Sequence, residues 1–139
     1  MIAHAGRFED TFYLATVSSR SQPHVVPLTG GWQDGALYAT VAVDGRAARN
    51  LVAQPRCCAH YQVSEESGWD SLMLWGRGSV LTAVEDKRRL WPVIPYDMDE
   101  WDPGGPDGSP DTAFLEIVPR RALLLRRYGL DGREEWRAG

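Results

Sequence analysis

Gln22–Leu51 reads QPHVVPLTGGWQDGALYATVAVDGRAARNL, and this stretch decides the fold. Two apolar runs, His24–Leu28 and Ala36–Val43, flank a Gly-Gly-Trp-Gln-Asp-Gly turn. The pattern predicts a hairpin whose strands are His24–Thr29 and Ala36–Val43, turned by Gly30, Gly31 and Gly35. Asp44 is placed as the N-cap of a short helix over Gly45–Gln54, which Pro55 stops. Two paired strands that feed a helix with Arg46 and Arg49 in its first turn make a seat for a phosphorylated ligand. The helix start offers free N–H groups, and guanidinium grips phosphate through paired bonds. Pro27 lies inside the first strand and cannot donate to a ladder. That flank of the strand is therefore an edge, a bulge or a surface offered to something else.

Outward from this unit the chain alternates strands and turns. Thr11–Ser18 is β-branched and aromatic and reads as a strand, preceded by a frayed helical turn within residues 1–10. Arg56–Val63 is the next strand, and Glu65-Glu66-Ser67-Gly68 turns the chain. Ser71–Val84 is long and apolar, with Gly76 and Gly78 marking a bulge or bend. Glu85–Trp91 is a short charged helix ended by Pro92. Residues Asp97–Asp111 hold six acids, three Pro and three Gly with no base, which predicts a loop. Thr112–Val118 and Arg121–Tyr128 read as two strands broken at Pro119, and Arg133–Trp136 adds a last arm. Six or seven strands in hairpin order with two short helices predict a mostly β, antiparallel barrel in a single domain over residues 1–139.

Composition excludes several classes. The net charge of -4 disfavours a nucleic-acid partner. Lys87 is the only lysine, so Arg supplies nearly all the positive charge. The two cysteines, Cys57 and Cys58, are adjacent, point to opposite faces of a strand and would form a strained disulfide. They are expected to be reduced thiols in a cytoplasmic protein. No apolar run approaches the ~20 residues of a membrane span. His4 and His60 have no partner at ligand spacing, so no metal site is expected.

Four pieces carry a resemblance: YLATVSSRSQPHVVPL (13–28), DGALYATV (34–41), GRAARNLVAQP (45–55) and LWGRGSVLTAVED (74–86). Together, in this order, they resemble the pyridoxamine 5'-phosphate oxidase-like superfamily of flavin-binding split β-barrels. The small single-domain members, general stress proteins and deazaflavin-dependent reductases among them, look most similar. The resemblance implies that the backbone of His24, Val25, Val26, Pro27 and Leu28 lies along a flavin ring. It implies that Thr40 and Val41 run beside it, with the Thr40 hydroxyl near the phosphate. It also implies that the helix start through Asn50, with Arg46 and Arg49, holds that phosphate. Gly45 and Ala47 depart from the family pattern, which has Ser and Lys at those places. The resemblance further implies a homodimer with pockets at the interface, walled in part by Trp75, Trp91 or Trp101.

Each of these residues also has a plainer reading. Arg46 and Arg49 read equally as solvated helix arginines, His24 as a strand histidine paired with a neighbour, and the tryptophans as core. The acidic loop 97–111 is either a lid or a solvated loop. Three functions compete. The first is a flavin-dependent oxidoreductase that binds FMN non-covalently and acts on a small molecule. In its variant a deazaflavin coenzyme binds instead, whose longer anionic tail would draw on Arg7, Arg20 and Arg56. The second is a carrier of flavin, haem or another planar ligand. The third is a dimeric barrel without cofactor, motivated by Gly45 and Ala47.

Overall fold

The computed structural model describes residues 8–139, so the expected helical turn near the N-terminus, His4 and Arg7 lie outside the described residues. The strands are β1 (Thr11–Val17), β2 (Pro23–Gln33), β3 (Ala36–Ala42), β4 (Arg56–Tyr61), β5 (Ser71–Leu81), β6 (Thr112–Leu125) and β7 (Arg133–Arg137). Helix α1 (Arg46–Ala53) joins β3 to β4. Helix α2 (Val84–Leu90), one 3-10 turn (Trp91–Val93) and helix α3 (Met98–Trp101) lie between β5 and β6. The sheet order is β3-β2-β1-β4-β5-β6-β7, and β3 also pairs with β6. That extra pairing closes six antiparallel strands into a barrel and leaves β7 as an appended strand along Arg121–Leu125. This is the mostly β, split-barrel class read from the sequence.

Strand alternation builds the core. In β1, Phe12, Leu14 and Thr16 point inward while Tyr13 and Ala15 face out. Leu37, Leu72, Leu74, Leu115, Ile117 and Leu124 meet them inside the barrel, and Leu51 of α1 packs on the same cluster. Each fully buried side chain of this size contributes about 1.5–3 kcal/mol of hydrophobic stabilisation. A second cluster of Tyr38, Leu90, Ile94, Met98 and Phe114 seats α2 and α3 against the outside of β3 and β6.

Several expectations need correction. Strand β2 does not stop at Thr29; it runs on to Gln33. Only Asp34 and Gly35 make the turn, both with positive φ (50° and 81°) as a tight two-residue hairpin requires. Gly30 and Gly31 are strand residues, because a Cβ at either would run into the carbonyl of Tyr38 or of Val93. Helix α1 is capped by Gly45 without a side-chain bond, so Asp44 sits one place too early to cap it. Loop 97–111 contains α3, whose N-cap Asp97 accepts from the Asp99 N–H. Finally, β6 is one continuous strand. A bulge opposite Trp75 and Gly76 absorbs Pro119, and Gly76 lets the β6 backbone approach there.

One irregularity positions everything that follows. Pro23–Thr29 of β2 pairs with β1 alone, and Gly30–Gln33 pairs with Ala36–Ala39 of β3. Beyond Thr29 and Thr40 the two strands part, while Thr40–Ala42 keeps only its β6 partner. Each strand thus turns one flank toward a gap, and Pro27 lies on the half of β2 that borders it.

Candidate functional site in the split between β2 and β3

The gap is a groove. His24, Val26 and Leu28 form one wall, Thr40, Val41 and Ala42 the other, and Gly45, Arg46 and Ala47 at the start of α1 close one end, around a hollow of about 290 Å³. Through Leu28 and Thr40 it runs into a wider hollow of about 450 Å³, bordered by Pro27, Thr29, Tyr96 and Trp101. The combined space suits a mononucleotide-sized ligand, for which sites of roughly 300–1,000 Å³ are usual.

The chemistry along it is graded. The middle is apolar. Near the wide end Tyr96 and Thr40 share a hydroxyl–hydroxyl bond of 3.1 Å, and Trp101 stands edge-on to Tyr96 while 73% exposed. At the α1 end Arg46 and Arg49 are exposed, and neither has an acid partner among the described residues. Gly45 provides no side-chain cap, so the first N–H groups of α1 are left to solvent or ligand. On the wall between the two ends, the Nδ1 of His24 is buried without a hydrogen-bond partner. An unpartnered buried nitrogen is costly, by about 1–3 kcal/mol, unless a ligand or water meets it.

The predicted residues divide into two sets. His24, Val26, Leu28, Thr40, Val41 and Arg46 line one hollow, and Pro27 lines its continuation. Val25 points away and is 63% exposed. Arg49 lies one turn along α1 from Arg46 and does not line the groove. Asn50 is buried and its Nδ2 donates to the Thr16 hydroxyl at 3.0 Å, which ties α1 to β1. Trp75 lines a different hollow, on β4–β5–β6, and Arg121 stacks on its ring at 4.2 Å. Trp91 packs in the second cluster and donates to Asp99.

Tyr96, Asp102, Asp111 and Thr112 also border the wide end of the groove and were not singled out from the sequence. The available signal was an aromatic pair, Tyr96 and Trp101, inside an otherwise acidic, proline-rich segment. Lys87 holds that segment: it is buried, and its Nζ donates to the Ser109 carbonyl at 2.8 Å. Among the described residues no group of three or more His, Cys, Asp or Glu side chains is placed to hold a metal ion, and no helix is long and apolar enough to cross a membrane.

The sequence model of the pyridoxamine 5'-phosphate oxidase family matches residues 7–126. No curated protein matches the sequence. Among solved structures, the chain is similar to a Clostridium acetobutylicum protein related to general stress protein 26 of B. subtilis. The TM-score is 0.75 at 17% identity, over 93% of this chain and 86% of that one. A heme binding protein from Mycobacterium smegmatis gives 0.76 at 16% identity, over 99% of this chain and 58% of that one. A pyridoxamine 5'-phosphate oxidase-related, FMN binding protein from Nostoc punctiforme gives 0.69 at 15% identity, over 97% and 86%. At these identities the likeness is one of fold.

Proposed function

This chain belongs to the pyridoxamine 5'-phosphate oxidase family, and from that premise we propose that it is an FMN-binding oxidoreductase acting on a small-molecule substrate, with FMN held in the split between β2 and β3. The observation that carries the reading is the gap itself: two strands with open flanks and unpaired Arg46 at one end. FMN, when bound, supplies hydride and electron transfer.

This chain's residues bind and orient it. The open flank of residues 24–28 offers main-chain donors and acceptors to the edge of the ring, and His24 Nδ1 gains a partner. Val26, Leu28 and Val41 supply apolar contact and keep water from the buried part. Arg46 and the first N–H groups of α1 take the phosphate, with Arg49 one turn along adding positive charge from outside the groove wall, and together they replace the Ser and Lys of the family pattern that Gly45 and Ala47 lack. Trp101 and Tyr96 present an exposed aromatic border at the wide end. In this reading a second copy of the chain covers that border, and light scattering should give twice the chain mass.

The test is a titration of the purified protein with FMN, followed by flavin fluorescence, with a deazaflavin coenzyme and haem as parallel ligands. FMN binding with one site per chain is expected. Arg46→Ala with Arg49→Ala should weaken it at least tenfold, since a single charge-assisted bond is worth about 1.5–3 kcal/mol. Unchanged affinity in that variant would reject the phosphate role of the arginines. Binding of haem or deazaflavin but not FMN would reject the cofactor assignment.

A further inference from the structure

The groove changes character at its wide end. Beyond Thr40 it opens into a further hollow of about 340 Å³, bordered by Tyr96, Trp101, Asp102, Asp111 and Thr112. Thr40, Tyr96 and Trp101 line both this hollow and its neighbour, so the two are continuous. The walls here are aromatic and anionic, whereas the α1 end of the groove has Arg46 and no acid. A ligand lying along the groove meets positive charge at one end and negative charge at the other.

The negative end is not neutralised from within. Residues 97–111 hold six acids and no base. Asp97 caps α3, Asp99 accepts from the Trp91 indole, and Asp107 pairs with Arg88. Asp102 and Asp111, the two acids at the hollow, have no Arg or Lys partner among the described residues. Asp102 is held in place, since its Oδ1 accepts from the Thr112 hydroxyl at 2.9 Å. Buried Lys87 turns its Nζ to the Ser109 carbonyl and not to either carboxylate. Beside the two acids the rings of Trp101 and Tyr96 stand at 76° to each other with centroids 6.3 Å apart, and Trp101 stays mostly exposed. An indole is the best of the aromatic rings for a cation, and aromatic groups of this kind bind quaternary ammonium ions.

We infer that the wide end is the substrate subsite of the groove and takes an organic cation, its ammonium group set between Trp101 and the carboxylates of Asp102 and Asp111. The inference rests on the proposed oxidoreductase reading, in which FMN fills the two hollows that run from α1 to Pro27 and the third is left to the second reactant. Two unneutralised carboxylates attract a cation and repel an anion of the same shape, so they select by charge as well as bind. A second copy over this border roofs the hollow, and the lower local dielectric strengthens the attraction.

Calorimetric titration at low salt with benzyltrimethylammonium, and with benzyl alcohol and benzoate in parallel, tests it on both the FMN-free and the FMN-saturated chain. The cation is expected to bind both forms, more tightly than either comparison compound, and to lose affinity as salt rises. Asp102→Asn with Asp111→Asn should weaken it at least about fivefold, the worth of roughly one unit-charge contact even in water. Asn keeps an acceptor for Thr112, so this variant retains its fold. Trp101→Ala should weaken binding roughly two- to fivefold, the range of an exposed cation–aromatic contact. Asp107→Asn, an acid of the same segment that does not line the hollow, should change it less than about twofold. No cation binding while FMN saturates, equal binding of benzyl alcohol, displacement of FMN by the cation, or a loss in the Asp107 variant as large as in the Asp102/Asp111 variant would each overturn the inference. Cation binding through Trp101, Asp102 and Asp111 in a chain that fails to take FMN would instead support the subsite and remove the FMN reading.

Discussion

Asn50 and Cys57 show how much a single side chain's direction decides. Asn50 belongs to the arginine-bearing helix segment, yet it faces inward and bonds to Thr16. Only the packing of α1 on β1, a long-range fact, separates it from Arg46 four residues earlier. Asn50→Ala should strand the buried Thr16 hydroxyl and cost about 1–3 kcal/mol. A denaturant midpoint equal to that of the natural chain would contradict this. The opposite facing of the two cysteines was legible from strand periodicity; which of them is buried was not, and the structure buries Cys57. Burial, with the neighbouring Cys58 second, pushes the Cys57 thiol from 9.0 up to about 12. The sign follows. An unfolded chain releases this proton near its ordinary value, whereas the folded chain holds it, so the thiol contributes stability that is lost as pH rises from about 9 toward 12. Alkylation at mild alkaline pH should therefore mark Cys58 before Cys57, read by peptide mass. Earlier labelling of Cys57 would show that its environment is more open than described.

At the scale of elements, the sequence reads correctly where the signal is local. Alternating apolar residues and Pro- or Gly-rich turns gave the hairpin order of the strands and the short helix after β3. It misleads where a residue has two possible reasons to be present. Gly30 and Gly31 resemble turn residues but are strand residues that allow close backbone approach, so β2 runs four residues past Thr29, where the strand was expected to end. Pro119 resembles a strand end but sits in a bulge made tolerable by Gly76 across the ladder. Both ambiguities are resolved only by which strand lies alongside. Gly30→Ala is a direct check on β2: its Cβ would meet the Tyr38 carbonyl and the Phe12 ring. The substitution should cost at least about 1–3 kcal/mol, the range of overpacked interiors. A variant as stable as the natural chain would place the hairpin turn at Gly30 after all.

For the whole molecule, the barrel and the residues of its split were legible together, because the family pattern spans both strands and the helix start. The partition of those residues was not. Which of them face the gap depends on the point where β2 leaves β3, and that depends on β6 taking over as the partner of Thr40–Ala42. The same closure carries Trp75 to a hollow that shares no lining residue with the groove. Tyr96 and Trp101 reach the groove because Lys87 and the second cluster fasten their segment down, contacts that no short-range pattern encodes. The central claim, that FMN enters the split between β2 and β3, is tested most directly by an FMN titration followed through backbone amide signals. The account predicts that the signals of Val25, Val26, Leu28, Thr40, Val41 and Gly45 to Arg49 shift together and saturate. Signals of Cys57, Trp75 and Arg77 should stay in place. Shifts confined to those last three residues, or no shifts at all, would contradict it.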